Sequence, residues 1–337
     1  LIDTPGDRAQ THALDAYVVA CAFDASGVAA FALGDGTLRL APADGGDWVT
    51  VAAHDGGVLA LAADVLGAGF VSGGDDGRFV RVCADGSVSE IAGFGSRWVE
   101  QAASFGPGKG ALLACSAGRD VHLFDAGGAR LKSLAHPSTV TGIGFDARGK
   151  RVAASHYNGV SIWFTNATSP SPRFLEWKGS HIGVALHPAG EAVVSAMQEN
   201  ALHGWRLPGG EHMRMSGYPS KTESLSFTKN GRWLASSGSD AIVMWPFFGG
   251  GPMGKPPVEL APYEGNIVTR VACHPAMDMV AAGYKDGTVV VVDIATKRVL
   301  PLTGLKGAIS ALAWSQDGRS LAFGTETGVA SLVKLVQ

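Results

Sequence analysis

His181, His187, His203 and His212, interleaved with Met197, Met213 and Met215, form the densest group of metal-ligating side chains in the sequence. Zinc needs three or four such ligands about 2 Å from one point. The spacing argues against a shared ion. His181 precedes a predicted strand and His187 follows it, and a strand of five or six residues is roughly 17–20 Å long. His203 and His212 fall on neighbouring predicted strands and can approach, but a pair makes a weak site. Met213 and Met215 alternate with His212 and Arg214, as on a half-buried strand. Packing is the expected role of this group.

Other chemistry is sparse. Gly106-Pro107-Gly108-Lys109-Gly110 has a phosphate-binding composition but no predicted helix after it, so it reads as a hairpin turn. Cys21, Cys83, Cys115 and Cys273 are scattered without a Cys-x-x-Cys and read as small buried apolar residues. The sequence holds no His-Glu-x-x-His, no Gly-x-Ser-x-Gly and no phosphate-binding loop. Carboxylates are spread through turns without a local acid/base pair. The expectation is a protein that is not an enzyme and carries no cofactor. Net charge is −3, so no strongly basic face follows and nucleic acid is a poor default partner. No apolar run approaches 18 residues, so no membrane helix is expected. Scarce cysteine and no visible export signal suggest a cytoplasmic protein, expected to be a monomer.

These residues are positioned by a repeat. A short apolar stretch ends in a turn with glycine four residues on, as at Phe23 to Gly27, Ala63 to Gly67, Phe145 to Gly149, Leu186 to Gly190, Phe227 to Gly231 and Trp314 to Gly318. Phe105 to Gly110 is one residue longer, and Cys273 to Met277 lacks the glycine. A second marker runs in phase at Asp35, Asp76, Asp120, Asn158, Asn200, Asp240, Asp286 and Thr327. A period of about 40–45 residues built from short strands is the signature of a β-propeller. The expected fold is all-β: one domain, an eight-bladed propeller of four-stranded antiparallel blades. The repeats are bounded at about 13–53, 54–95, 96–135, 136–177, 178–217, 218–263, 264–303 and 304–337, with 1–12 joining the last.

Each repeat reads as strands a to d, from the axis outward. The last repeat ends just after its strand c, Ala330–Leu335, while a surplus segment containing Arg8–His12 precedes the first. Pairing the two closes the ring and covers an open edge. Two long c–d turns, Thr165–Pro172 and Pro246–Pro257, decorate one face.

At its turns the chain resembles the WD-repeat (WD40) family. His12, His54, His136 and His181 fall before strand a, and Trp163, Trp205 and Trp245 end strand c, with Phe124 in the third repeat. No Trp-Asp dipeptide occurs; Phe124–Asp125 and Val292–Asp293 come nearest. In that family histidine, turn aspartate, a strand-b serine or threonine and tryptophan form a buried hydrogen-bond chain. The resemblance implies such a structural role for these histidines and tryptophans and for Asp35, Asp76, Asp120, Asp240 and Asp286. In the fourth repeat Asn158 stands for the aspartate beside His136, Ser155 and Trp163, which implies an uncharged network.

A narrower resemblance rests on SHYNG (Ser155–Gly159), FLEWKGSH (Phe174–His181), MQENALHGWRL (Met197–Leu207), HMRMSGYP (His212–Pro219), GPMGKPP (Gly251–Pro257) and LAFGTETG (Leu321–Gly328). These look like a bacterial group of WD-repeat proteins encoded near zinc-uptake components and GTP-dependent metal-insertion proteins. The resemblance implies a place in zinc homeostasis, with a metal-trafficking GTPase as partner.

The functional candidates are polar and aromatic groups at the b–c and d–a turns of one face: Arg97, Trp98, Arg119, His156, Tyr157, Gln198, Glu199, Asn200, Lys221, Tyr284, Lys285 and Glu326. They are expected to ring the mouth of the central channel, and aromatics with arginine are what interface hot spots favour. The expected function is a scaffold that binds a protein or peptide. The alternatives are a zinc-binding metallochaperone and an enzyme with its site at the channel mouth.

Overall fold

Short apolar or alternating runs, each cut by glycine and aspartate turns, yield strands throughout. A computed structural model describes residues 9–168, 171–302 and 304–335. Among these, all regular elements are β-strands. Strands a to d of each unit pair antiparallel in chain order, as in Val18–Phe23, Ala29–Leu33, Thr37–Ala41 and Val49–Ala52.

The expectation of eight separate blades is corrected. The strands form seven hydrogen-bonded sheets, six of four strands and one of six, so counted by sheet the propeller is seven-bladed. The six-stranded sheet takes in both repeats expected at 136–177 and 178–217. Its two longest strands, Arg151–Phe164 and Arg173–Leu186, each run on through a turn as one continuous strand. In the first, Asn158 (φ 67°) and Gly159 (φ 150°) double the chain back, and the Thr165 N–H meets the Lys150 carbonyl at 3.0 Å. The second pairs by its early residues with the first strand (Tyr157↔Ser180, Ile162↔Arg173) and by its later ones with Ala192–Met197 (His181↔Met197). At its corner Gly179 (φ 126°) donates its N–H to Asn158 Oδ1 at 3.2 Å, which ties the two repeats into one sheet.

The ring is closed by the segment Ala9–Ala13, which lies antiparallel to Val329–Lys334 in the register Ala9↔Val333 to Ala13↔Val329. Arg8, expected in this strand, lies outside the described residues, as do the remaining residues of 1–8 and residues 169–170 of the first long turn.

Sheets pack face to face through residues that recur in phase. Val18, Val58, Val99, Val268 and Ile309 start their inner strands, Val140 and Thr222 lie just before theirs, and all are buried. Where strand b of the preceding repeat carries glycine, the fit is close. A Cβ added at Gly283 would lie 2.4 Å from Ile309, and one at Gly324 would lie 2.5 Å from Val18. The second contact joins the last repeat to the first. One core cluster there unites Val18, Phe31 and Leu33 with Ala311, Ala322 and Leu332. Both faces of the inner strands are therefore covered, which explains their nearly continuous apolar character.

Candidate functional site

The buried polar chains decide which turn residues are structural. In the second repeat His54 Nδ1–H donates to Asp76 at 2.9 Å, and its Nε2 accepts from Ser72 at 2.9 Å. Burial by itself would raise the Asp76 pKa, but hydrogen bonds from the Arg78 N–H and from His54 hold it below the usual carboxylate range. In the fourth repeat Trp163 Nε1–H donates to His136 Nε2 at 2.9 Å, and His136 Nδ1–H donates to the Arg119 carbonyl at 3.1 Å. Ser155 and Asn158 are not part of that chain: Ser155 Oγ lies 3.1 Å from Thr141 Oγ1, and Asn158 accepts from Gly179.

The sixth repeat holds an equivalent chain built without histidine. Trp245 Nε1–H donates to Tyr218 Oη at 2.6 Å, Tyr218 O–H donates to Ser236 Oγ at 2.6 Å, and Ser236 O–H donates to the Val243 carbonyl at 3.2 Å. Tyr218 stands two repeat lengths after His136, so phase was the signal that could have found it. Tyr218→Phe leaves the buried Trp245 N–H without its acceptor and should cost about 1–3 kcal/mol. Denaturant melts that match the parent would show that the chain contributes nothing.

The other residues expected in structural roles make different contacts. His12 lies before strand a, exposed on the closing strand, and packs on Trp48 with ring centroids 4.3 Å apart. His181 lies within its strand, 2.5 Å from Ser195 Oγ, and donates from Nε2 to the Trp177 carbonyl at 2.8 Å. Asp35 accepts from its own turn at Thr37. Asp120 pairs with Arg97 at 3.2 Å. Asp240 lies 3.4 Å from Ser239 Oγ, and Asp286 accepts from the Thr288 N–H. None of these four carboxylates meets a histidine among the described hydrogen bonds.

The histidine and methionine group behaves as packing. His203 Nε2 and His212 Nδ1 lie 2.9 Å apart, hydrogen-bonded to one another rather than aimed at a common ion. Trp177 stacks on His203 at 3.9 Å. His187 donates from Nε2 to the Gly231 carbonyl at 2.9 Å on the opposite face. Among the described residues no group of three or more His, Cys, Asp or Glu side chains could hold a metal. Burial pushes the thiols of Cys21 and Cys115 well up, and that of Cys273 up to about 12.

Of the expected face residues, Arg97, Trp98, Arg119, Tyr157, Gln198, Glu199, Asn200, Lys285 and Glu326 are exposed, and Lys221 is half-buried. Two are not on the surface. His156 is fully buried, donating from Nδ1 to the Tyr157 carbonyl and accepting from Ser161 at 2.8 Å. Tyr284 is buried with its hydroxyl on the Ala261 carbonyl at 2.5 Å, and burial first, then Asp286 and Asp240, push its pKa up to about 12.

Two aromatics join the face. Tyr17 and Tyr263 are exposed at d–a turns, so Tyr17, Trp98, Tyr157 and Tyr263 stand 46, 54, 56 and 47% exposed around one side of the ring. Tyr17 occupies the position of Trp98, immediately before strand a, so phase was again the available signal.

Nearby, a charged cluster lines a cavity of about 220 Å³ between Ser220, Lys221, Glu223, Thr269 and Lys285. Glu223 pairs with Arg270 at 2.9 Å and with Lys221 at 3.2 Å. Burial would raise its pKa, yet the two cations hold it below the carboxylate range. A carboxylate neutralised in this way is a poor general base. Across the ring, burial alone raises the Glu100 pKa. Glu100 interrupts an apolar inner strand and Glu223 lies just before one, which is the mark by which they stand out.

Comparison with known proteins agrees with this architecture. Residues 271–337 match the model of the anaphase-promoting complex subunit 4 WD40 domain. No curated protein matches the chain. The crystal structure of RRP9 WD40 repeats superposes with a TM-score of 0.66 at 14% identity, covering 100% of both chains. As many as 1790 chains of solved structures match, so the fold by itself selects no partner. In fold, this protein is a β-propeller, similar in architecture to the RRP9 WD40 repeats.

Proposed function

We propose that this protein is a non-enzymatic scaffold that docks a protein partner on the face formed by its b–c and d–a turns. The observation that carries the reading is the set of four exposed aromatics on that face, Tyr17, Trp98, Tyr157 and Tyr263. Water-exposed aromatics cost solvation and are enriched where partners bind, with arginine beside them. Arg119, in the turn next to Trp98 and Tyr157, makes no ion pair among the described residues and is available to a partner carboxylate. The matching family model is named for a subunit of a multiprotein complex, which supports the same reading. The resemblance to proteins encoded beside zinc-uptake components makes a metal-trafficking GTPase of the cytoplasm the first partner to test.

Affinity capture followed by mass spectrometry tests the proposal. Trp98→Ala with Tyr157→Ala and Arg119→Glu should lose the main partner while the melting temperature stays near that of the parent, since all three side chains are exposed. Undiminished capture by this variant would remove the face from consideration.

A further inference from the structure

We infer that the opposite face, formed by the a–b and c–d turns, carries a second docking groove fitted to an acidic peptide. Two cavities adjoin there. One, of about 180 Å³, is lined by Asp146, Arg148, Lys150, Arg151 and Phe164. The other, of about 430 Å³, lies among Arg206, Arg232, Phe247 and Phe248. Ala189 lines both, so a single turn is the ridge between them.

The charge in this groove is unbalanced. Asp146 is occupied by Arg151, whose Nε lies 2.9 Å from its Oδ2, and by the backbone N–H groups of Lys150 and Arg151. Arg148, Lys150, Arg206 and Arg232 make no ion pair among the described residues, against a single further carboxylate, Glu191, in the lining. In a chain whose net charge is −3, four unpaired cations around two joined cavities are a concentrated positive field. Each cavity also carries an exposed phenyl ring, Phe164 in one and Phe248 in the other.

The groove is built in advance. Lys255 donates to the carbonyls of Phe248, Gly249 and Gly251, the last two at 2.9 and 3.0 Å, so its charge is spent on holding the loop. Gly249, Gly250 and Gly251 all adopt left-handed φ (59°, 93° and 94°), which side-chain-bearing residues rarely take up. Arg206 donates to the Gly250 carbonyl, and Arg232 lies over the Phe248 ring, 5.1 Å from its centroid. A pre-formed wall reduces the ordering cost of binding.

An extended peptide with carboxylates for the guanidinium groups and an apolar side chain for a phenyl ring satisfies this lining. A long polyanion fits less well. The same face presents exposed Asp44, Asp47 and Asp85 in the c–d turns of the first two repeats, which repel a nucleic acid strand running beyond the groove.

Fluorescence anisotropy with labelled decapeptide pools tests this. The probes are an Asp/Glu pool with a central Phe or Leu, a Lys/Arg pool of the same design, and a single-stranded oligonucleotide of equal charge. The acidic pool should bind alone, more weakly as salt rises. Arg206→Glu with Arg232→Glu, and separately Arg148→Glu with Lys150→Glu, should each weaken it at least about tenfold. Should a reversal variant fold poorly, Arg206→Gln with Arg232→Gln reads the same loss. Equal binding of the basic pool, acidic binding indifferent to these variants, or displacement of the peptide by less oligonucleotide than peptide would overturn the assignment. These variants leave the aromatic face intact, so failure here is separate from failure there.

Discussion

Trp205→Ala lowers the unfolding free energy by about 3–5 kcal/mol, the cost of emptying a large aromatic site in a packed core. Trp205 is 1% exposed and packs in a cluster with Ala153, Val160, Ile162, Leu175 and Val193. That cluster joins the two halves of the six-stranded sheet, so the cavity opens where two repeats depend on one another. The indole N–H has no hydrogen-bond partner among the described residues, so the loss is one of packing and not of a polar link. Phe164→Ala in the same sheet removes an exposed ring and should change stability by less than about 0.5 kcal/mol. Denaturant titration of the two variants measures the contrast. Equal midpoints would mean that Trp205 is not enclosed between the two repeats.

Acid should destabilise the propeller well above the range in which carboxylates titrate. Burial lowers the pKa of His122 and His136 to about 4 and of His203 to about 3. In the unfolded chain each returns to about 6.5. Between pH 6.5 and 4 the unfolded state therefore binds protons that the native state refuses, and stability falls as pH falls. Each histidine contributes about 1.4 kcal/mol per pH unit within that window, so the three together contribute about 4 kcal/mol per unit. Asp76 adds to the loss further down, because its depressed pKa makes its contribution disappear only as pH drops through the folded value. Glu100, with its raised pKa, works in the opposite sense. Urea midpoints at pH 7, 6 and 5 check this. A flat profile would contradict neutral buried imidazoles.

Phase in the sequence located most of the architecture, because each repeat must present the same residue types to its neighbours. The anchors at Phe23, Ala63, Phe105 and their successors all end inner strands, or lie at their ends, as the spacing implied. The merging of two repeats into one sheet was not legible. It depends on backbone geometry at Asn158, Gly159 and Gly179, which resembles ordinary turn chemistry in sequence. His156 and Tyr284 were expected at the surface because they adjoin turn residues. Both are instead the last inward side chains before their turns, as are the buried Ala117, Met197 and Thr325 in equivalent positions. Tyr218 is not legible as a counterpart of histidine, because the site requires only a group that accepts from tryptophan and donates to serine. Tyr17 and Tyr263 were missed because solitary aromatics before apolar strands read as core. The basic groove was hidden because Arg148, Arg206 and Arg232 are far apart in sequence and the net charge is acidic.

Hydroxyl-radical footprinting of the protein with and without its captured partner tests the central claim most directly, since exposed tyrosine, tryptophan and phenylalanine report their own solvent contact. The scaffold reading predicts that Tyr17, Trp98, Tyr157 and Tyr263 lose reactivity in the complex while exposed rings on strand d and on the far face, such as Phe174 and Phe164, keep theirs. Unchanged oxidation of Trp98 and Tyr157 in a saturated complex would contradict it.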